Sequence, residues 1–416
     1  MRRISLRKWS VLSVCLMIAV QAVIMVLFWG EPQGSDQGVY MEIARDCYDK
    51  GSWYPSASDA YSPYFWAPGF INFLILQLHI FGTFNLNMVF NFLFNLAILS
   101  EVCYLARKFF TPRTADISTI FFCLLYSNWF AVAPAGTEVP FLFLALTGFC
   151  LCLKPSWRNV VLASVCFALA NWVRPLVVIF AVVAVLYMLK NKYSWKLYPA
   201  LAIPFLALTV AFGWIAKANT GIFAPQASTS GFNLIMTAND AAYGGVATSI
   251  MDDTTSIAYI RDMDKHTFVE KDSIWKARSI EWIKEHPGRY AKLYLLKIGG
   301  LFVEDSWPDR PMIGGSGFVD QAAHGKQSDN ALLKRILHMA AGSVVFYIIG
   351  IAFLITIFRQ RRDIFTSKGW LLLILLMGIG STCLFAVSPR YHYPFMFAII
   401  IWAAFGIDKF LEKRRL

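Results

Sequence analysis

Long apolar runs recur along this chain and decide what it can fold into. Of its 416 residues, 57% are hydrophobic and only 15% are charged, which is more apolar than an ordinary soluble domain. A helix needs about 20 apolar residues to cross a bilayer, and several of the runs are shorter than that. We predict an all-α protein, a polytopic transmembrane helical bundle of about 10–13 spans. The runs lie near 9–29, 86–105, 114–131, 138–153, 159–173, 175–189, 197–215, 334–358, 369–387 and 392–408.

The basic residues of the chain cluster at the ends of these apolar runs. The formal net charge is +12, but this placement is the positive-inside pattern of membrane proteins and not the basic face of a nucleic-acid-binding domain. We therefore exclude nucleic acid as a partner and expect the lipid bilayer to be one. The clusters predicted to face the cytoplasm are Arg107, Lys108 and Arg113; Lys154 and Arg158; Lys190, Lys192 and Lys196; Arg359, Arg361, Arg362 and Lys368; and Lys409, Lys413, Arg414 and Arg415.

The N-terminal segment resembles a signal peptide. Its apolar run is about 20 residues long, enough to span the membrane, and no small-residue cleavage site follows it. We predict a retained signal anchor that leaves four basic residues in the cytoplasm: Arg2, Arg3, Arg7 and Lys8. The predicted localisation is a multi-pass protein of a bacterial inner membrane with its active site on the extracytoplasmic face.

The charge pattern then divides the loops between the two faces of the membrane. We treat residues 1–416 as one transmembrane domain with a first outer loop at 30–67 and a large outer lid loop at 216–290. Two apolar segments, 68–82 and 289–303, are short, and each is either a further span or an interfacial element. The other parts assigned to the outer face are 132–138, 388–391 and the turn at 171–174.

An acidic residue at the exit of the first apolar run is the leading functional candidate. Acids held next to hydrocarbon are costly, so they are candidates for chemistry or ion binding. Asp36 follows the first run directly, and if 37–49 is helical, Asp36 and Tyr40 share a face. We predict that Asp36 is catalytic and that Tyr40 contacts substrate.

Three further segments on the same predicted face carry charged or phenolic groups. Glu138 lies at the mouth of a span in PAGTEVPF, where an acid also favours the start of a helix. Arg174 in NWVRPLVV is followed by a proline that breaks the helix; its guanidinium suits a phosphate, or it snorkels without a ligand. Arg390 and Tyr391 in SPRYHYPF precede the last run and either bind an anion or a sugar hydroxyl, or serve as interfacial anchors.

Carboxylates and guanidinium groups gathered at one membrane face suit transfer from a lipid-linked phosphate donor. A carboxylate takes the proton of an acceptor hydroxyl or holds a metal ion, while arginines stabilise the departing phosphate. Two alternatives stay open. A flippase or transporter of lipid-linked oligosaccharide would place polar residues through the middle of its spans, and a polymerase using a lipid diphosphate would place arginines and histidines in one large outer loop.

At the level of motifs the chain resembles the GT-C glycosyltransferases, in particular the branch of protein O-mannosyltransferases and the lipid A aminoarabinose transferase. The similar pieces span nearly the whole chain, and they are short and degenerate. They are Asp36 with Tyr40, Ala44, Pro68-Gly69-Phe70, TEVPF around Glu138, Arg174-Pro175, TANDAAYGG around Asn239, EHPGRYAKLYLLK, and Arg390-Tyr391.

The resemblance implies an inverting hexosyltransferase-type enzyme that uses a polyprenyl-phosphate-linked sugar donor and a saccharide, lipid or protein acceptor. Asp36 would be the catalytic base or an acid near a metal, and Glu138 a second catalytic acid near the acceptor or metal. Arg174, Arg390 and Tyr391 would contact the donor phosphate, and Asn239 the substrate. The cofactor is left unknown, with a divalent metal such as Mg²⁺ or Mn²⁺ as one alternative. Members of the family commonly carry a pair of acids in the first loop, whereas here Gln37 follows Asp36.

Overall fold

The computed structural model describes residues 5–56, 65–227, 229–245, 248–314 and 329–414, and the regular structure in these ranges is helical throughout. The predicted all-α fold is therefore confirmed. In chain order the helices are α1 (Leu6–Leu27), α2 (Ser35–Asp49), α3 (Pro68–Phe81), α4 (Asn87–Phe109), α5 (Pro112–Leu124), α6 (Tyr126–Phe130), α7 (Glu138–Cys152), α8 (Trp157–Val173), α9 (Val178–Lys190), α10 (Leu197–Thr220), α11 (Ser230–Ile235), α12 (Phe268–Glu285), α13 (Pro287–Leu301), α14 (Asp329–Arg359), α15 (Gly369–Thr382) and α16 (Met396–Lys413).

Five helical segments of the described chain are long and apolar enough to cross a bilayer. They contain 22–25 residues each, so at about 1.5 Å per residue each matches a hydrocarbon core of about 30 Å. Five shorter apolar helices, α3, α7, α8, α9 and α15, accompany them. The chain is thus a multi-pass membrane protein. The long segments are Leu6–Leu27, Asn87–Phe109, Leu197–Thr220, Ile336–Arg359 and Pro389–Lys413.

The last of these segments forms the centre of the bundle. It is 72% buried, whereas the spans Leu6–Leu27, Leu197–Thr220 and Ile336–Arg359 are 22–28% buried. Apolar side chains that the protein does not cover can only be accommodated by lipid, so these three helices lie at the periphery. The phenylalanine rings of α7, α9 and the last segment pack together in the middle, with Phe141 and Phe397 both within 6.2 Å of Phe180 between ring centroids.

The structure resolves the two ambiguous segments as short helices. Residues 68–82 form α3, whose inward face is buried against α2 and α8. Residues 289–303 fall mostly in α13, which is amphipathic and begins at Pro287. The single apolar run predicted at 114–131 is instead two helices, because Leu125 adopts an extended conformation that ends α5 and precedes α6.

One helix of the lid loop, α12, begins at Phe268 and ends at Glu285, shortly before Pro287. Thr267 caps it: its hydroxyl accepts from the Glu270 backbone N–H while the Glu270 carboxylate accepts from the Thr267 backbone N–H, a capping box. Ser273 lies inside the helix, where its hydroxyl donates to the Val269 carbonyl. The proline opens α13 because its missing N–H costs nothing at a first helical position.

Candidate active site

A cavity of about 520 Å³ collects most of the residues singled out in the sequence. Its walls come from the start of α2, the start of α7, the end of α8, the segment around α11, residues 307–311 and the turn before the last span. Loop positions 57–64, which include Asp59, Tyr61 and Tyr64, lie outside the described residues. The predicted residues that line the cavity are Asp36, Tyr40, Glu138, Arg174, Arg390 and Tyr391.

Two acids and two arginines form one ion-pair network in this cavity. Arg390 donates through one terminal nitrogen to Asp36 Oδ2, and its Nε lies 3.7 Å from Glu138 Oε1. Arg174 Nη1 lies 2.9 Å from the same Glu138 oxygen. Arg390 is therefore a bridge between two carboxylates that are about a hundred residues apart in sequence. Each member depends on the others, because removing one partner of a buried pair leaves an uncompensated charge.

The two acids differ in how much of each side chain is exposed. The Glu138 side chain is 4% exposed, whereas that of Asp36 is 31% exposed. Glu138 lies in the first turn of α7, where the helix dipole stabilises its negative charge. A Cβ on Gly136 would lie 2.8 Å from Glu138 Oε2, so a glycine at that position leaves room for the carboxylate. Asp36 is thus the acid accessible to a substrate, and Glu138 is the one enclosed by arginines.

Arg174 points into the cavity because α8 ends there. Its backbone is extended, with φ −157° and ψ 124°, as expected for a residue that precedes a proline. The Tyr391 ring lies beside it, with its centroid 4.8 Å from the Arg174 guanidinium carbon and 5.4 Å from that of Arg390. A phenol ring in contact with two guanidinium groups holds both by cation–π attraction.

Close packing of α3 on α8 fixes the end of α8. A Cβ on Gly69 would lie 2.6 Å from the carbonyl carbon of Trp172 and from the backbone nitrogen of Val173. We expect Gly69→Ala to force the two helices apart, lowering stability by about 1–3 kcal/mol and displacing Arg174. Thermal unfolding of the purified protein measures this. Gly350→Ala is the matched control, since no atom lies within 4 Å of its Cβ position; equal unfolding temperatures for the two variants would contradict the prediction.

Tyr40 lies behind Asp36 in the same helix. It is 8% exposed and packs edge-on against the Trp66 ring, with centroids 5.1 Å apart. Burial, and after it the negative charge of Asp36, raises the pKa of the Tyr40 phenol well above its usual value. The hydroxyl therefore stays protonated at neutral pH.

Asn239 is the predicted site residue that the structure does not bring to this cavity. It is 2% exposed; its amide nitrogen donates to the Ile235 carbonyl at 2.6 Å and its Oδ1 accepts from the Ala241 backbone N–H at 2.8 Å. Both ends of the side chain thus stabilise the turn after α11. The asparagine of this loop that lines the cavity is Asn233.

Sequence reasoning missed a third arginine of the cavity. Arg310 lines it and forms an ion pair with Glu304, whose side chain is 1% exposed. Arg310 is followed by Pro311, as Arg174 is followed by Pro175, and this repeated Arg-Pro pair was the sequence signal that could have found it. Gln37, Thr137 and Trp307 also line the cavity and were not singled out for it.

No family model matches the chain, and no curated protein matches it in sequence. Several solved structures are similar in part. The archaeal oligosaccharyltransferase AglB from Archaeoglobus fulgidus, in complex with an inhibitory peptide and a dolichol-phosphate, is 14% identical, with 97% of this chain and 50% of that chain covered and a TM-score of 0.47. The same protein in complex with Zn and sulfate is 12% identical, with 96% and 49% covered and a TM-score of 0.46.

ArnT from Cupriavidus metallidurans, bound to undecaprenyl phosphate, is 15% identical, with 96% of this chain and 76% of that chain covered and a TM-score of 0.44. The chain spans about half the length of AglB. Similarity at this level does not assign a function, so the chemistry of the site rests on its own residues.

The two acids of the cavity contact arginines, and a divalent metal stays one alternative for the cofactor. Mg²⁺ and Mn²⁺ are held by carboxylate oxygens, but here the Arg390 guanidinium lies between Asp36 and Glu138 and contacts both. Within the described ranges, no group of three or more His, Cys, Asp or Glu side chains comes together. The two carboxylates are therefore arranged around arginine cations.

A second cavity of about 500 Å³ adjoins the first. Six residues line both cavities, Arg174 and Tyr391 among them. The second cavity is lined by uncharged polar side chains, Gln226, Asn233 and Thr382 among them, and by Phe385. Two connected spaces of this size leave room for two substrates on either side of Arg174.

Proposed function

We propose that this chain is a membrane glycosyltransferase of the GT-C type that moves a sugar from a polyprenyl-phosphate-linked donor to a glycan, lipid or protein acceptor. One observation carries the proposal: Asp36, Glu138, Arg174, Arg390 and Tyr391 line a single cavity beside apolar helices. Such a cavity offers a base and phosphate-binding cations next to hydrocarbon that can hold the prenyl tail. The motif resemblance to GT-C enzymes points the same way.

The proposed reaction is a displacement at the anomeric carbon of the donor sugar. The acceptor hydroxyl gives its proton to Asp36 as its oxygen forms a bond to that carbon. The bond between the carbon and the phosphate oxygen breaks, and its electron pair stays on the polyprenyl phosphate. Asp36 is assigned as the base because its side chain is 31% exposed and a general base must reach the proton that it takes.

The arginines act on the phosphate in this scheme. Arg174 and Arg390 are fixed by Glu138, so their guanidinium groups are oriented before the substrate enters. Preorganised cations stabilise charge as it develops on the leaving group, without a cost of reorganisation at that moment. Glu138 then serves as the second acid, holding both arginines, and Tyr391 supports them through its ring.

Direct attack of the acceptor inverts the configuration at the anomeric carbon, so we assign an inverting mechanism. The resemblance to GT-C enzymes supports a hexosyltransferase-type activity. We also assign the site to the extracytoplasmic face of a bacterial inner membrane, because the basic clusters at the other ends of the apolar runs follow the positive-inside pattern. In this reading the lid loop, from which Thr229, Phe232 and Asn233 line the cavity, covers the substrates.

The function is tested by mass spectrometry of envelope glycans from a strain that lacks this protein. We expect one sugar residue to be missing and its polyprenyl-phosphate-linked form to accumulate. Complementation with the wild-type gene serves as the control. A flippase would instead leave an oligosaccharide carrier on the cytoplasmic side, and a polymerase would leave short lipid-linked units; either result would contradict the proposal.

Arg174→Ala is expected to weaken donor binding while the protein stays folded. The substitution removes a charge-assisted contact to phosphate, which is worth about 1.5–3 kcal/mol, or about tenfold or more in affinity. It is measured as the donor KM of the purified protein in lipid nanodiscs. Lys217→Ala, in an exposed lysine near the end of α10, is the control. An unchanged donor KM would remove Arg174 from the site.

A further inference from the structure

A third cavity lies between two apolar helices, α4 and α7, away from the two cavities described above. Its volume is about 230 Å³, and Glu101, Tyr104, Thr147 and Lys154 are among the residues that line it. Helix α7 begins at Glu138 in the candidate active site, and Thr147 lies nine residues further on, which is about 13 Å along the helix axis. The third cavity is therefore separate from the site of the proposed reaction.

Glu101 is an acid within a membrane span. It lies in α4, six residues before Arg107 in the last turn of that helix, which is about 9 Å along the axis. The Thr147 hydroxyl donates to Glu101 Oε1, and Glu101 Oε2 has no hydrogen-bond partner among the residues that the structure describes. An acid in a span is costly, and a cation that pairs with it offsets this cost.

The lysine of the cavity does not supply that cation. The Lys154 side chain is exposed, and its ammonium lies 5.6 Å from the centroid of the Tyr104 ring. No ion pair joins Lys154 to Glu101 within the described ranges. The cavity thus presents a carboxyl group and an ammonium group that do not neutralise each other, and this pattern suits a ligand that carries one charge of each sign.

The length of α7 brings lipid headgroups toward Glu101. This helix has 15 residues, or about 22 Å, whereas the hydrocarbon core is about 30 Å thick. A bilayer adjusts to a short span in part by thinning next to it. On the side of the cavity, α7 has half-buried residues at one-turn spacing, Phe143, Thr147 and Cys150, so lipid reaches this groove.

We propose that the third cavity binds the headgroup of a zwitterionic phospholipid with a primary ammonium group, such as phosphatidylethanolamine. The Glu101 carboxylate accepts from the ammonium, and Lys154 pairs with the lipid phosphate. A primary ammonium has three N–H donors. The last torsion of a glutamate side chain is broad, so Glu101 Oε2, which is now covered, can turn toward the headgroup. The basic residues at this end of α4 and α7 assign the site to the cytoplasmic leaflet.

The proposal is tested by native mass spectrometry of the full-length protein with three lipids of identical acyl chains. Phosphatidylethanolamine offers N–H donors, phosphatidylcholine has a cation without any N–H, and phosphatidylglycerol has a phosphate and no cation. We expect the wild-type protein to bind phosphatidylethanolamine about fivefold more tightly than either of the others, the effect of one partly exposed charge-assisted pair. Sugar transfer is not needed for this measurement, so its result is independent of the proposed function.

Glu101→Gln should reduce the preference for phosphatidylethanolamine to less than about twofold and leave the binding of the other two lipids unchanged. The amide keeps an oxygen that accepts from Thr147, so the variant should fold. Lys154→Gln should weaken all three lipids to a similar extent, because all three carry the phosphate. The matched control is Glu412→Gln, an exposed acid that pairs with Lys409 at 2.8 Å, and it should bind the three lipids like the wild type.

Three results would overturn the proposal. A wild-type protein that binds phosphatidylethanolamine and phosphatidylcholine equally would do so without any variant. Glu101→Gln would do so if it kept the full preference, since the acid then only holds a proton or the Thr147 contact. A loss that is equal for the three lipids in Glu101→Gln would show that the carboxylate does not recognise the ammonium.

Discussion

Replacing Asp36 with asparagine will lower sugar transfer by at least about 100-fold while leaving the fold and the donor affinity nearly unchanged. A general base contributes about 10²–10⁴-fold to a rate, and an amide cannot take a proton from a hydroxyl at neutral pH. Asparagine keeps the size of the side chain and one oxygen acceptor for Arg390, the present partner of Asp36. The loss should therefore appear in kcat and not in the donor KM, because ground-state contacts to the phosphate remain.

The measurement is the initial rate of release of undecaprenyl phosphate from the donor identified by the glycan analysis. Asp46→Asn is the matched control: it lies in the same helix, but its carboxylate pairs with Lys50 on the surface, at 2.8 Å. We expect that variant to transfer sugar at the wild-type rate. If Asp36→Asn stays within about threefold of the wild type, Asp36 is not the base.

The sequence predicts the helices well because the bilayer restricts which backbone structures an apolar run can adopt. With no water to satisfy backbone groups, an apolar run must form a helix, and the runs at 86–105, 138–153 and 159–173 correspond to α4, α7 and α8. Errors occur where a run is broken by local backbone conformation. Leu125 divides one predicted run into α5 and α6.

The grouping of Asp36, Glu138, Arg174 and Arg390 could be anticipated because each is a charge at the end of an apolar run, assigned to the same side. Which acid pairs with which arginine could not be anticipated from the sequence. That Arg390 contacts both acids, and that Glu138 is enclosed while Asp36 is accessible, follows from the packing of helices far apart in sequence. The roles of these residues remain predictions until activity is measured.

Arg310 and Asn239 show what the sequence leaves out. Arg310 lines the cavity but was not singled out, whereas Asn239 was singled out but does not line the cavity. Arg310 lies in the segment SWPDRP, which has no apolar run of its own to mark it, so its position in the cavity depends on contacts such as that of Pro311 with Gly34. Asn239 was singled out from its motif, yet its side chain is used by the backbone of its own turn. Asparagine is favoured in turns for this local reason, and the sequence alone cannot separate it from a ligand contact.

Replacing His392 with alanine will destabilise the protein by about 1–3 kcal/mol, the cost of leaving a buried polar partner unsatisfied, and will also abolish transfer. His392 and Asp305 are both completely buried, with His392 Nε2 3.2 Å from Asp305 Oδ1. The other ring nitrogen lies 2.9 Å from the Leu301 carbonyl. The ring thus ties the turn Pro389–Phe395, which carries Arg390 and Tyr391, to the end of α13.

Without His392, the Asp305 carboxyl group keeps the backbone N–H of Ser127, at 3.1 Å, and loses its contact with the buried imidazole. The unfolding temperature of the purified variant, read by tryptophan fluorescence, should fall by several degrees. His266→Ala is the control, because that ring is partly exposed and lies 4.0 Å from a surface glutamate; such exposed pairs contribute about 0–1 kcal/mol.

A double variant separates the polar contact from the packing of the ring. If His392 and Asp305 stabilise the turn as a pair, His392→Leu combined with Asp305→Leu should be less destabilising than the sum of the two single variants, since no buried polar partner is left unsatisfied. The double variant should still transfer sugar poorly, because the turn that carries Arg390 is no longer tied to α13. Additive losses of stability, or wild-type transfer by either single variant, would mean that the buried pair does not position the arginine of the cavity.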